Sequence, residues 1–227
     1  MPVRTIPKSY QNVTGVISSD KSESLIGFES PLERDLYLIL DFDINVKRFE
    51  EQPVRISYLD SNGKNRTYTP DVLVHYRDDI IPAKGMPPML CEVKPRERLR
   101  KDLAKYMPRF KAAIKYAKER GWKFRILTER EIRTPHLHNV KFLGRFRNIS
   151  PPDDHKKLIL DAIYELRETD PEGLLLSISY DKWRRAEIMP TFWHLIAISR
   201  IGADLNLPLT MQSRIWTMEP ARGGIVP

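Results

Sequence analysis

The fold turns on two short stretches, Tyr68-Thr69-Pro70-Asp71 and, farther on, Leu90-Cys91-Glu92-Val93-Lys94. Residues two apart on an extended strand point the same way. Glu92 and Lys94 are therefore expected on one face, with Cys91 and Val93 on the other. If Asp71 ends a neighbouring strand, its carboxylate joins that pair, giving the minimum for metal-assisted cutting of a phosphodiester. Mg²⁺, which prefers oxygen ligands and keeps several waters, suits such a site, and Mn²⁺ substitutes for it. In this reading Asp71, Glu92 and the Val93 carbonyl hold the first ion. Lys94 stands beside the attacking water, to orient it, to stabilise charge or, if desolvated, to serve as a base. Glu33 would hold a second ion or bind through water, with Glu29 as its rival. Each residue also has an ordinary reading: Asp71 as a turn residue, Glu92 and Lys94 as a solvent-facing pair, Glu33 as a helix cap. Leu90, Cys91 and Val93 mark the strand as central, where a charge is costly unless paired or metal-bound.

The flanking sequence supplies the elements. Ser30-Pro31-Leu32-Glu33 opens a helix as a capping box with proline at the first position, and Leu32, Leu36, Ile39 and Leu40 form its apolar face. Residues 54–58 alternate as a strand, 60–64 form a turn, and 66–74 return, with Pro70 marking an edge, a bulge or an irregularity. A proline-rich loop over 77–88 leads to the strand at 89–94. From Arg98, the spacing of Leu99, Leu103, Tyr106, Phe110, Ile114 and Ala117 is helical, with Pro108 expected to kink or split the helix and Gly121 to end it. Residues 122–127 read as a strand, Thr128 with Glu131 as a second capping box, and 141–143 as a last strand. Ser150-Pro151-Pro152-Asp153-Asp154 marks the domain boundary. Beyond it, 158–167 and 189–201 read as helices, 174–176 as a short apolar run, and 203–227 loses periodicity. Residues 1–27 read as an extended arm.

The chain has 227 residues and a net charge of +8. Residues 1–150 carry 29 basic against 19 acidic side chains, and residues 151–227 carry 9 against 11. The excess lies in 95–125, with 12 basic and 3 acidic side chains, and begins one residue after Lys94. Such a run suits a polyanion. Arg96, Arg98, Arg100, Lys101, Lys105 and Arg109 are the expected DNA contacts. Cys91 is the single cysteine, which excludes an intrachain disulfide or a cysteine zinc site. No stretch is apolar enough to span a membrane and no signal core opens the chain, so a cytoplasmic protein, nucleoid-associated when on DNA, is expected. His136 and His138 alone among the histidines have ligand-like spacing, in a proline-containing stretch read as exposed. No glycine-rich phosphate loop is present.

Pro70-Asp71 followed by Glu92-Val93-Lys94 resembles the restriction-endonuclease-like superfamily. The surrounding stretches sharpen the likeness: Phe28-Glu29-Ser30-Pro31-Leu32-Glu33-Arg34-Asp35, Leu40-Asp41-Phe42-Asp43, Phe49-Glu50-Glu51-Gln52-Pro53, Val72-Leu73-Val74 and Leu127-Thr128-Glu129-Arg130-Glu131-Ile132. Over roughly residues 25–145 the chain resembles the TnsA endonucleases of heteromeric transposons, including CRISPR-associated ones. The resemblance implies an α/β fold with a mixed sheet flanked by helices over 28–149, then a small, mainly helical, winged-helix-like domain over 150–205. It implies Mg²⁺-dependent cutting at the 5′ ends of transposon-end DNA, with Glu33, Asp71, Glu92 and Lys94 as catalytic residues. A TnsB-type transposase cutting the 3′ ends and a TnsC-type AAA+ regulator are the implied partners. The tail at 206–227 is a candidate segment for recruiting the regulator. A stand-alone restriction or repair nuclease and a non-catalytic DNA-binding assembly subunit are the alternatives.

Overall fold

The computed structural model describes residues 13–22 and 24–218. Residues 1–12 of the expected arm and 219–227 of the expected tail lie outside the described residues. The chain divides into two compact units between Arg133 and Thr134, ahead of the boundary expected at 149/150.

In the first unit part of the expected arm proves to be paired with itself and the residue that follows it. Strand β1 (Gly15–Ile17) runs antiparallel to β2 (Ile26–Phe28). Gly15 lies opposite Phe28, where an added Cβ would stand 2.6 Å from the ring. Helix α1 (Pro31–Phe42) starts as expected: the Ser30 hydroxyl accepts the Glu33 N–H, and Pro31 fills the first turn. Strands β3 (Val46–Glu51), β4 (Ile56–Leu59), β5 (Asn65–Tyr68), β6 (Val72–Tyr76) and β7 (Met89–Val93) follow. Helices α2 (Arg96–Lys101) and α3 (Leu103–Glu119), strand β8 (Lys123–Leu127) and helix α4 (Glu129–Ile132) complete the unit.

The main sheet has the order β3-β6-β7-β8, with β6 antiparallel to both β3 and β7, and β7 parallel to β8. It is the mixed, helix-flanked sheet of the restriction-endonuclease-like fold. Strand β7 is interior, as its apolar neighbours required. Cys91 and Val93 pack with Val72, Val74, Phe49, Leu36 and Tyr37 on one side. Leu73 and Leu90 pack with Ile56, Tyr68, Ala113 and Phe124 on the other.

Two expectations change here, and one strand had not been expected. The returning strand at 66–74 is broken at Thr69-Pro70-Asp71: β5 pairs with β4, and β6 with β3 and β7. A proline without an N–H cannot carry one ladder through that point. The β3 strand had no readable alternation because its register shifts between Val46 and Arg48. The long helix breaks at Asp102, between α2 and α3, while Pro108 stays inside α3. Tyr106, Phe110, Ala113 and Ala117 form one buried face on both sides of the proline, and this packing holds the helix through it.

The second unit contains α5 (Pro135–Arg147), α6 (Asp153–Leu166), β9 (Glu168–Thr169), α7 (Pro171–Ile178), α8 (Lys182–Ala197), β10 (Ile201–Ala203) and β11 (Ile215–Thr217). Residues 141–143, expected as a strand, lie within α5, where Leu137, Val140 and Leu143 are buried at helical spacing. The Phe142 ring meets Trp193 of α8 edge-on at 5.0 Å between centroids, which ties this helix to the second unit and places the division before it. From α6 onward the order is helix, strand, helix, helix, strand, strand, with β11 between β10 and β9, the arrangement of a winged helix. Part of the expected loose tail thus closes a small sheet. Gly202 is required there, because a Cβ would fall 2.2 Å from the Trp216 indole nitrogen. No helix among the described residues is long and apolar enough to cross a membrane.

Phe49 is 1% exposed and stacks on Tyr37 at 5.7 Å. Phe49→Ala is expected to destabilise the first unit by about 3–5 kcal/mol, read as a lowered urea midpoint with the secondary-structure spectrum unchanged in the absence of denaturant.

Candidate active site

Asp71 is fixed to the sheet through its backbone and its side chain. Its N–H donates to the Cys91 carbonyl at 3.1 Å, its carbonyl accepts the Gln52 N–H at 2.9 Å, and its Oδ2 accepts the Val93 N–H at 2.6 Å. Lys94 continues the β7–β8 pairing, donating its N–H to Leu127 at 3.0 Å. Its ammonium lies 3.1 Å from Glu92 Oε1, 3.2 Å from the Val93 carbonyl oxygen and 3.8 Å from Asp71 Oδ2. The oxygens expected to seat a cation thus already surround one, the chain's own amine.

Glu92 is 1% exposed and meets three donors. Tyr68 Oη donates to Oε2 at 2.6 Å, while Lys94 and Arg109 Nη2 approach Oε1 at 3.1 and 3.2 Å. Glu33, at the start of α1, is buried. Its Oε2 accepts the Glu29 N–H and its Oε1 the Ser30 hydroxyl, both at 2.8 Å. The return bond of the capping box therefore lands one residue upstream of the cap. Glu29 accepts from Gln52 Nε2 at 3.2 Å.

Two cavities meet at Lys94 and Glu29. One of about 720 Å³ includes Glu33, Val93, Arg98 and Lys101; the other, of about 490 Å³, includes Gln52, Arg55, Asp71, Glu92 and Arg109. Of the expected DNA contacts, Arg98, Arg100, Lys101 and Lys105 are exposed, and Arg96 is half-buried. Arg109 departs from that surface. Its side chain turns inward to Glu92, with Cζ 4.1 Å from the Tyr106 ring centroid and 5.2 Å from that of Tyr68. The roles of Tyr68, Arg109 and Gln52 were not anticipated. One signal existed: Arg109 interrupts the apolar stripe of Tyr106, Phe110 and Ala113 with a charge.

Burial pushes the Asp71 carboxyl well above its ordinary range, and the charges of Glu92 and Glu33 push the same way, against Lys94 and the Val93 N–H. Glu33 is also raised by burial, against the Glu29 N–H and the Ser30 hydroxyl. Burial alone would lower the Lys94 amine, yet Asp71 and Glu92 hold it above its ordinary value. Lys94 is therefore a fixed cation here, which favours charge stabilisation over the base role. Cys91, behind Glu92 on the opposite face, is pushed up to about 12 by burial and the nearby Asp71 charge.

Buried acids whose ionisation is opposed by one another suit a cation. The Asp71, Glu92 and Val93 oxygens are the ones that could hold a metal, since they already surround the Lys94 ammonium. A three-acid cage is not preassembled: among the described residues no three His, Cys, Asp or Glu side chains stand close enough to hold a metal together. Glu33 is engaged by its cap and Glu92 by its three donors.

Comparison with known families agrees with this architecture. The family model described as TnsA-like endonuclease N terminal matches residues 43–129, and that described as TnsA endonuclease C terminal matches residues 131–205. The chain belongs to the TnsA endonuclease family. Asp71, Glu92 and Lys94 lie inside the first match, while Glu33 precedes it. No curated protein matches the chain.

Glu51 borders the cluster, and burial followed by the Glu33 charge raises its carboxyl to about 7 despite a bond from the Gly27 N–H. The folded state then holds a proton that the unfolded state releases near its ordinary value, so stability falls as pH rises from about 4.5 to about 7. Glu51→Gln is expected to flatten that slope and to raise the denaturation midpoint at pH 8 relative to the parent chain.

Proposed function

We propose that this endonuclease cuts the 5′ ends of a transposon by Mg²⁺-dependent phosphodiester hydrolysis during cut-and-paste transposition. The observation that carries the reading is the set of Asp71, Glu92 and Val93 oxygens around a cation on the interior strand of the mixed sheet. A TnsB-type transposase acts on the 3′ ends, and a TnsC-type AAA+ regulator connects both to the target. The working place is the cytoplasm, on nucleoid DNA.

Asp71, Glu92 and the Val93 carbonyl would hold the ion, which Mn²⁺ could replace, and Glu33 would serve a second ion or bind through water. When bound, the ion lowers the pKa of a water and screens the charge on the phosphate. Lys94 stabilises the charge that grows on the phosphoryl oxygens and orients the attacking water. The water oxygen bonds to phosphorus as the bond to the leaving sugar oxygen breaks; the water gives up one proton and the sugar oxygen gains one. Arg98, Arg100, Lys101 and Lys105 hold the DNA backbone, so affinity falls steeply with salt. The winged-helix unit and the tail at 206–227 engage the partners.

Asp71→Ala and Lys94→Ala are each expected to lower 5′-end cutting by about 100- to 1000-fold, the scale of removing one charge-stabilising group from a reacting centre. The assay is reconstituted cleavage of end-bearing DNA with the transposase, in Mg²⁺ and in chelator, with circular dichroism to confirm folding. Full cutting by either variant would remove the assignment. Cutting of naked DNA by the chain alone would favour a stand-alone nuclease.

A further inference from the structure

Among the described residues, Arg109 is the expected DNA contact that pairs with Glu92. It reaches Glu92 from α3, whereas Lys94 reaches it from the same strand. Its Nη2 meets Glu92 Oε1, and its Nε is buried without a hydrogen-bond partner. The rings of Tyr106, Tyr68 and Phe110 all lie within 5.3 Å of its Cζ. The guanidinium thus keeps unused donors in its plane, and it lines the smaller cavity with Arg55, Thr67 and Thr69. A planar fork with spare donors suits the paired oxygens of a phosphate.

Its place on α3 matters as much. Lys105 lies four residues earlier, one helical turn away, and is exposed. A DNA backbone following that basic face reaches Arg109 next. While Arg109 stays on Glu92, a divalent ion entering beside Asp71 meets the positive charges of both Arg109 and Lys94. Once a phosphate takes Arg109, one charge leaves and a Glu92 oxygen loses one of its donors.

We propose that Arg109 is a DNA-responsive latch on Glu92, parked there without DNA and withdrawn by a backbone phosphate, so that metal loading follows DNA binding. The inference rests on the nuclease reading above and assigns Arg109 a positioning role, acting through Glu92. A purely structural Arg109 would steady α3 without coupling the two ligands.

The test is Mn²⁺ affinity of the full chain, measured by electron paramagnetic resonance with and without a short end-bearing duplex. The Asp71→Ala complex serves as the blank for ions held by DNA. The parent chain is expected to bind Mn²⁺ at least about 10-fold more tightly with duplex, the scale on which groups contacting a ligand tune metal affinity. Arg109→Gln should bind without duplex about as tightly as the parent does with it. Tyr68→Phe keeps the Arg109–Glu92 pair and should keep the coupling. Equal affinity of the parent chain in both states overturns the latch while leaving the metal reading standing, as does coupling that survives in Arg109→Gln. No Mn²⁺ binding in either state overturns both.

Discussion

A carboxyl group with 1% of its surface exposed needs partners for both oxygens, and Glu92 is such a group. That need dictates much of what surrounds it. One oxygen takes the Tyr68 hydroxyl from β5, and the other takes Lys94 and, from α3, Arg109. The β4–β5 hairpin and α3 are thereby tied to the same atom group that their apolar residues cover. Removing one partner of such a cluster strands the remaining charges, whereas replacing all of them with apolar groups can be nearly neutral. A set of buried charges of this kind is therefore poor evidence of selection for stability, and better evidence of chemistry.

Pro70 turns that requirement into geometry. The break at Thr69-Pro70-Asp71 sends β5 to one sheet and β6 to another. Tyr68 lies just before the break and Asp71 just after it, so one kink supplies both a donor to Glu92 and a second acid. The Val93 N–H then fixes the Asp71 carboxylate against β7. The cluster spans sequence-distant stretches, but its registration depends on two adjacent strands and one proline.

Much of this was legible in the sequence because local rules carried it. Ser30 and Thr128 both cap their helices, and the apolar neighbours of Glu92 identify an interior strand. The failures came where local pattern gave way to packing or irregularity. A register shift hid β3, and a buried face carried α3 through Pro108. Residues 141–143 are apolar enough for a strand, yet the helical spacing from Leu137 to Leu143 decides their fate. Strands of three residues, such as β10 and β11, have too few positions to show alternation. The convergence of Asp71, Glu92 and Lys94 could be read from spacing. Which donors claim each carboxylate could not, since Tyr68 and Arg109 come from elements whose docking no short pattern encodes.

Cys91 occupies the strand position between Leu90 and Glu92, sealed in the apolar layer on the side away from the acids. A thiol with its ionisation delayed to about 12 and no accessible surface is inert to maleimides at neutral pH. The chain therefore needs no cysteine-free background for spectroscopic labelling. A single cysteine introduced on the exposed turn at Asn62, or beside the exposed Trp183, would take a dye or spin label selectively and make distances across an assembled complex measurable.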